Sequence, residues 1–179
     1  MRPDTRRETR DQKSAFCVRP VRPGDEEGLR RMFSRLSRAS IYERFHAPYP
    51  RVPEWALTLF TDPPCGGSLV AVAGDEIVGH ALYVRTGYAA EAEMAVLVED
   101  GWQGRGVGRM LVSDLARVAA GRGTEVFSGE VLGENRRALG FITTVFPGTS
   151  HTMRGGAYHV RMPLPASGPS DGDAAGRAA

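Results

Sequence analysis

The sequence predicts an α/β protein, and three observations lead there. Strand-like runs and helix-like periodic stretches interleave along a single chain of 179 residues. One junction, Glu91 to Ala120, reads as a β-prone run, a glycine-rich loop and an amphipathic helix. An apolar fraction of 41% with 25% charged residues suits one globular domain with a real core plus tails.

Residues 1–13 are highly charged and read as a disordered tail, and residues 165–179, rich in Pro, Gly, Ser and Ala, read as another. The domain is assigned to residues 14–164. Phe16–Val21 reads as a first strand, with Cys17 as a small core residue and Pro20 at a strand end or edge. Asp25 is placed to cap a helix running to about Ser37, with Leu29, Met32, Phe33 and Leu36 on its apolar face. Short helices follow over Ser40–Phe45 and Glu54–Phe60. Ser68–Ala73 and Glu76–Val84 read as strands joined by a two-residue turn at Gly74–Asp75. The next strand ends near Val98. After the helix that closes at Gly121 come a strand over Thr124–Val131, a helix over Glu134–Phe146, and a closing hairpin around Gly155–Gly156.

The central junction carries the chemistry. Met94–Val98 is the strand, Gln103-Gly104-Arg105-Gly106-Val107-Gly108 the loop, and Val107, Leu111, Leu115 and Val118 recur at helical spacing. Glycines let a backbone approach a ligand closely, and a helix start leaves N–H groups without acceptors, so the arrangement suits a phosphate or diphosphate. The dinucleotide fingerprint fails, because from Gly104 the final glycine falls one place early, and the Walker pattern fails for want of Gly-Lys-Ser/Thr.

The pattern that fits is Gln103-x-x-Gly106-x-Gly108, entered from a hydrophobic strand and opening a helix. Here the chain resembles the GNAT superfamily of acyl-CoA-dependent N-acetyltransferases. The order of elements over residues 16–164 is that of the same family, which implies a mixed sheet of about seven strands with helices on both faces. The runs Arg35–Phe45, Ala92–Ala95 and Gly129–Arg136 look closest to bacterial GNAT protein-lysine acetyltransferases.

The resemblance implies acetyl-CoA as co-substrate. Its diphosphate would rest on Gln103, Gly104, Arg105, Gly106, Val107, Gly108 and Arg109, with its arm paired to the backbone of Met94, Ala95, Val96 and Val98. Asn135 stands at the family's position for a carrier-contacting asparagine. An oxyanion would meet a backbone N–H near Met94 or Ala95.

Acyl transfer to an amine also needs the amine neutral. For a lysine-like pKa near 10.4 this costs about 4.6 kcal/mol at pH 7, which a general base offsets. Glu93 is the candidate base, at the family's Ala-Glu-x-Ala position. Glu91, on the same face of a regular strand, is the second candidate, whereas Glu99 and Asp100 lie close enough to the loop to shape the turn. The chain departs from the family at Ile142, where many members carry a tyrosine general acid. Either the thiolate leaves unaided, or Tyr88, Tyr158 or a water supplies the proton. Tyr42, Phe45, Tyr49 and Trp55 are candidates for an acceptor groove.

A net charge of +2 gives no electrostatic case for nucleic acid or membrane surfaces, and no apolar run is long enough to span a bilayer. The two cysteines, Cys17 and Cys65, form no framework, no metal is implied, and a cytoplasmic location is expected. The expected acceptor is a protein lysine or, second, a small amine, and the expected assembly is a monomer or a homodimer. The missing tyrosine keeps a catalytically silent acyl-CoA-binding regulatory domain in view as a rival.

Overall fold

The computed structural model describes residues 15–87 and 90–165. Its elements are β1 (Cys17–Pro20), α1 (Glu26–Ser34), α2 (Arg38–Phe45), α3 (Glu54–Thr61), β2 (Gly67–Ala73), β3 (Glu76–Arg85), β4 (Glu91–Val98), α4 (Val107–Ala120), β5 (Val126–Leu132), α5 (Arg136–Val145), β6 (Ser150–Arg154) and β7 (Ala157–Pro163). They build one seven-stranded sheet in the order β1-β2-β3-β4-β5-β7-β6.

Every neighbouring pair is antiparallel except β4 and β5. A parallel pair requires a crossover, and α4 supplies it. The hairpins close where the sequence places them, with Gly74 at φ 58° and Gly155 and Gly156 at φ 56° and 86°.

Period-2 alternation, reset by a bulge in β3 where the pairing passes from Ala71–Gly79 to Val72–Ile77, sends side chains to two cores. Leu69, Ala71, Ala81, Tyr83 and Met94 face α4 and α5, meeting Val107, Leu111, Leu115 and Ile142. Val70, Ile77, Leu82 and Leu97 face α1–α3, meeting Leu29, Phe33, Ile41, Leu57 and Phe60. The expected helices on both faces are therefore present. A Cβ built at Gly79 would stand 2.9 Å from Leu111, so β3 and α4 are packed as closely as a glycine permits.

Four local expectations change. Cys17 is exposed rather than core, because β1 is a four-residue edge strand. Asp25 stands at the start of α1 but makes no capping bond; its carboxylate takes Arg19 at 2.7 and 2.8 Å and the Arg22 N–H at 2.8 Å. The first helix stops at Ser34, and Ser37 starts α2 by accepting the Ser40 N–H. The last helix opens at Arg136 because Asn135 caps it. The tail residues 1–13, almost all of 165–179, and Tyr88 lie outside the described residues. Among the described residues no helix is long and apolar enough to cross a membrane.

Candidate active site

The parallel pair is only three residues long: Glu91 with Val126, Ala92 with Phe127, and Glu93 with Ser128. Beyond it β4 continues to Val98 beside β3 alone, and β5 diverges toward β7. Gly129 sits at the fork, where a Cβ would come within 3.3 Å of the Met94 carbonyl oxygen. The divergence opens a cleft of about 910 Å³.

Strand alternation decides which backbone groups face that cleft. The Glu99 N–H bonds the Val78 carbonyl, which turns Glu93, Ala95 and Leu97 toward β3. Met94, Val96 and Val98 then turn their N–H and C=O toward the cleft. The expectation of an oxyanion donor at Ala95 is corrected accordingly, since its N–H belongs to the β3 side. Met94 remains and the structure adds Val96, and Ala95 likewise drops out of the backbone expected to pair with the carrier's arm.

At the far end of β4 the glycine loop enters α4. Gly104 and Gly106 take φ of 75° and 86°, which an L side chain rarely adopts, and no atom lies within 4 Å of where their Cβ would be. Gly108 is helical; its missing side chain admits Phe141 and Val98 at 3.6 and 3.7 Å. The first turn of α4 holds no acid, so its N–H groups and the helix dipole face the cleft unopposed. Gln103 donates from Nε2 to the Val98 carbonyl at 3.1 Å and to Ser40 Oγ at 3.3 Å, and its Oε1 accepts from Arg137 at 2.8 Å.

Of the carrier-binding candidates, Met94, Ala95, Val96, Val98, Gln103, Gly104, Gly106, Gly108, Arg109 and Asn135 line the cleft. Arg105 and Val107 do not. Arg105 lies over the Trp102 ring at 5.1 Å, and Val107 is core. Asn135 spends its Oδ1 on the Ala138 N–H at 2.9 Å, which leaves its amide nitrogen as the remaining donor.

Glu93 is exposed and lines the cleft at the fork end. Glu91 is instead engaged by Arg161 at 2.9 Å and lies outside the cleft lining. Glu99 pairs with Arg35 at 3.0 Å, and Asp100, which also lines the cleft, binds Ser37 and Ser40, so both tie the turn after β4 to the helical segment before it in sequence. Ile142 is buried in the cleft wall at the tyrosine position. Tyr158 lies outside that lining, and its hydroxyl accepts from Arg136 at 3.1 Å. Among the described residues no tyrosine lines the cleft.

Phe45 and Trp55 line the α2–α3 side, with Tyr49 packed against both at 5.6 and 6.4 Å between ring centroids. Tyr42 is exposed and lies outside the lining. Arg44 lies over the Phe45 and Phe60 rings; burial pushes its pKa down to about 10, against the opposing pull of Glu93. Below it His80 is fully buried, with Nε2 2.8 Å from Ser68 Oγ. Burial first, and then the Arg44 charge, push His80 down to about 3, so it is neutral.

Arg44 and Arg137 escaped the sequence reading. Both are arginines in polar stretches, and only the fold turns them into the cleft. The one available signal was the position of Arg44 inside a helix otherwise bounded by Tyr42 and Phe45.

A sheet forked at its one parallel pair, with a glycine loop opening a helix beside the fork, is the frame of the GNAT-like acyl-CoA N-acyltransferase fold. Over residues 29–145 the chain matches the family described as "Acetyltransferase (GNAT) family". It is similar to acetyltransferase Pat of Mycolicibacterium smegmatis, at 31% identity over 124 residues, covering 67% of this chain and 37% of that protein. The chain thus spans little more than a third of that relative's length. The crystal structure of the GNAT domain of S. lividans PAT superposes with a TM-score of 0.75 at 33% identity, covering 82% of this chain and 89% of that one. A phosphinothricin acetyltransferase from Sinorhizobium meliloti, solved in complex with acetyl-CoA, shares the fold with a TM-score of 0.67 at 17% identity, covering 89% and 95%. This chain belongs to the acetyltransferase (GNAT) family, a family of acetyl-CoA-dependent N-acetyltransferases.

Proposed function

We propose that the chain transfers an acetyl group from acetyl-CoA to a protein lysine, with Glu93 as general base. A small amine is the second acceptor class. The observation that carries this reading is the fork. Glu93 stands at its closed end and the glycine loop beyond its open end, with β4 running about 17 Å between them from Glu93 to Val98. Residues at both ends and along the strand between them fit an extended thioester carrier.

The chain's own groups then have defined tasks. The Gly104–Gly108 backbone and the α4 N-terminus hold the diphosphate, with Arg109 and the Asn135 amide beside it. The backbone of Met94, Val96 and Val98 aligns the arm as an added strand. Glu93, directly or through a water, takes the proton as the amine nitrogen bonds to the acyl carbon. The carbon–sulfur bond breaks and sulfur departs as thiolate. A cleft-facing N–H of Met94 or Val96 steadies the oxyanion.

Thermal unfolding with and without acetyl-CoA tests the carrier site. Saturation at 100 times Kd adds about 2.7 kcal/mol, or roughly 5–10 °C in a domain of this size. Glu93→Gln tests the chemistry, with an expected loss of about 10²–10⁴ in kcat on lysine peptides and acetyl-CoA affinity retained. No acetyl-CoA-induced rise would sink the carrier site; a rise without turnover on any amine would favour the silent regulatory domain.

A further inference from the structure

Arg44 stands near the C-terminal end of α2 with the cleft on one side and rings on the other. Its guanidinium carbon lies 4.8 Å from the Phe45 centroid and 5.9 Å from that of Phe60. Among the described residues it makes no hydrogen bond and no ion pair, whereas Arg30 is held by Glu54 and Arg35 by Glu76 and Glu99. A guanidinium taken partly out of water with two ring faces and the longer-range pull of Glu93, but no hydrogen-bonded partner, costs free energy, and rings that fix its position remove the freedom to seek one elsewhere. Planar and forked, it matches a carboxylate in geometry as well as charge.

The groups that share this end of the cleft are Glu43, His46 and Glu93. The carboxylates draw in an ammonium, and none of them bonds Arg44. We infer that Arg44 anchors a carboxylate carried beside the reactive amine of the acceptor. This rests on the reading above, in which the amine is attacked next to Glu93. Lysine flanked by aspartate or glutamate in a protein segment has that pairing, and so does a free amino acid. The segment suits the cleft better, because Trp55, 56% exposed in the cleft lining, offers an apolar surface for a chain that extends past Arg44.

The test uses the full chain saturated with CoA and labelled lysine peptides that differ only in the flanking residue, Glu, Gln or Arg. Binding is read by fluorescence anisotropy. The acidic peptide should bind about tenfold tighter than the neutral one, and the basic peptide weakest. Arg44→Gln should bring the acidic-to-neutral ratio close to one, and Arg44→Lys should keep part of it. Competition by free glutamate or aspartate at similar affinity would support the carboxylate and assign it to a small acceptor.

Equal binding of acidic and neutral peptides by the unaltered chain overturns the inference. So does an Arg44→Gln loss that is the same for every peptide, since Arg44 then only supports α2. Acidic peptides that bind through Arg44 but are never acetylated overturn the protein-lysine reading and leave Arg44 as the carboxylate anchor of a different amine acceptor. Equal kcat/KM on acidic and neutral peptides does the reverse.

Discussion

Asp100, in the turn after β4, holds the start of α2 across the chain: its carboxylate accepts the Ser37 hydroxyl at 2.7 Å and the Ser37 N–H at 2.9 Å. The Ser40 hydroxyl joins at 3.0 Å, and Gln103 of the glycine loop donates to the same hydroxyl oxygen. The helix that carries Arg44 is thereby tied to the loop that would hold a diphosphate. Asp100→Asn should cost about 1–3 kcal/mol of stability, measured by urea unfolding, and raise KM for acetyl-CoA more than it lowers kcat. An unchanged KM would show that the tie serves folding alone.

Gly106 initiates α4 at φ 86°. Gly106→Ala places a Cβ in open space but in the left-handed region, at a cost of about 1–2 kcal/mol. The expected result is a several-fold weaker acetyl-CoA affinity by titration calorimetry, with Tm lowered by a few degrees. Gly108→Ala, at a helical position, should be milder in affinity, since only ordinary contacts with Phe141 and Val98 await its methyl group.

Stability should fall in acid, in two stages with the same sign. His80 has a folded pKa of about 3, below the ordinary value near 6.5, so the unfolded chain binds the extra proton and stability declines as pH falls from about 6.5 toward 3. Asp25 is held below the usual carboxylate range by its Arg19 hydrogen bonds. In Asp100, burial works to raise the pKa, but the bonds from Ser37 and Ser40 outweigh it. These two contributions are complete above about pH 4 and vanish as pH drops through their folded values. Urea midpoints from pH 7 to pH 3 should decrease throughout. His80→Gln should flatten the stretch between pH 6 and 4, where one proton is worth at most about 1.4 kcal/mol per pH unit.

Much of this was legible in the sequence for local reasons. Gly104 and Gly106 announce a backbone that only glycine adopts readily, and the Leu111–Leu115 stripe announces a buried helix face, so strand, loop and helix could be read from one stretch. What depends on long-range pairing could not. Nothing between Glu91 and Val98 says that β5 leaves after Ser128, and that departure is what makes the cleft. Asp25 read as a cap, because a sequence does not show that Arg19 will reach it first. Arg137 and Arg44 look like any solvated arginine until α5 and α2 are packed against the sheet.

Ile142 provides the last prediction. It is buried in the cleft wall where many members of the family carry a tyrosine. If departure of sulfur needed a proton, Ile142→Tyr would raise kcat. A thiol has a pKa near 8.5 against about 10.4 for a lysine amine, so sulfur is already the better leaving group and its anion is stable at neutral pH. We therefore expect kcat on a lysine peptide to stay within about threefold of the unaltered chain, while the larger ring costs about 1–3 kcal/mol of stability by overpacking. A rise of tenfold or more in kcat, with a new alkaline limb near pH 10 in its pH profile, would show that the proton limits the reaction and that Ile142 is the reason.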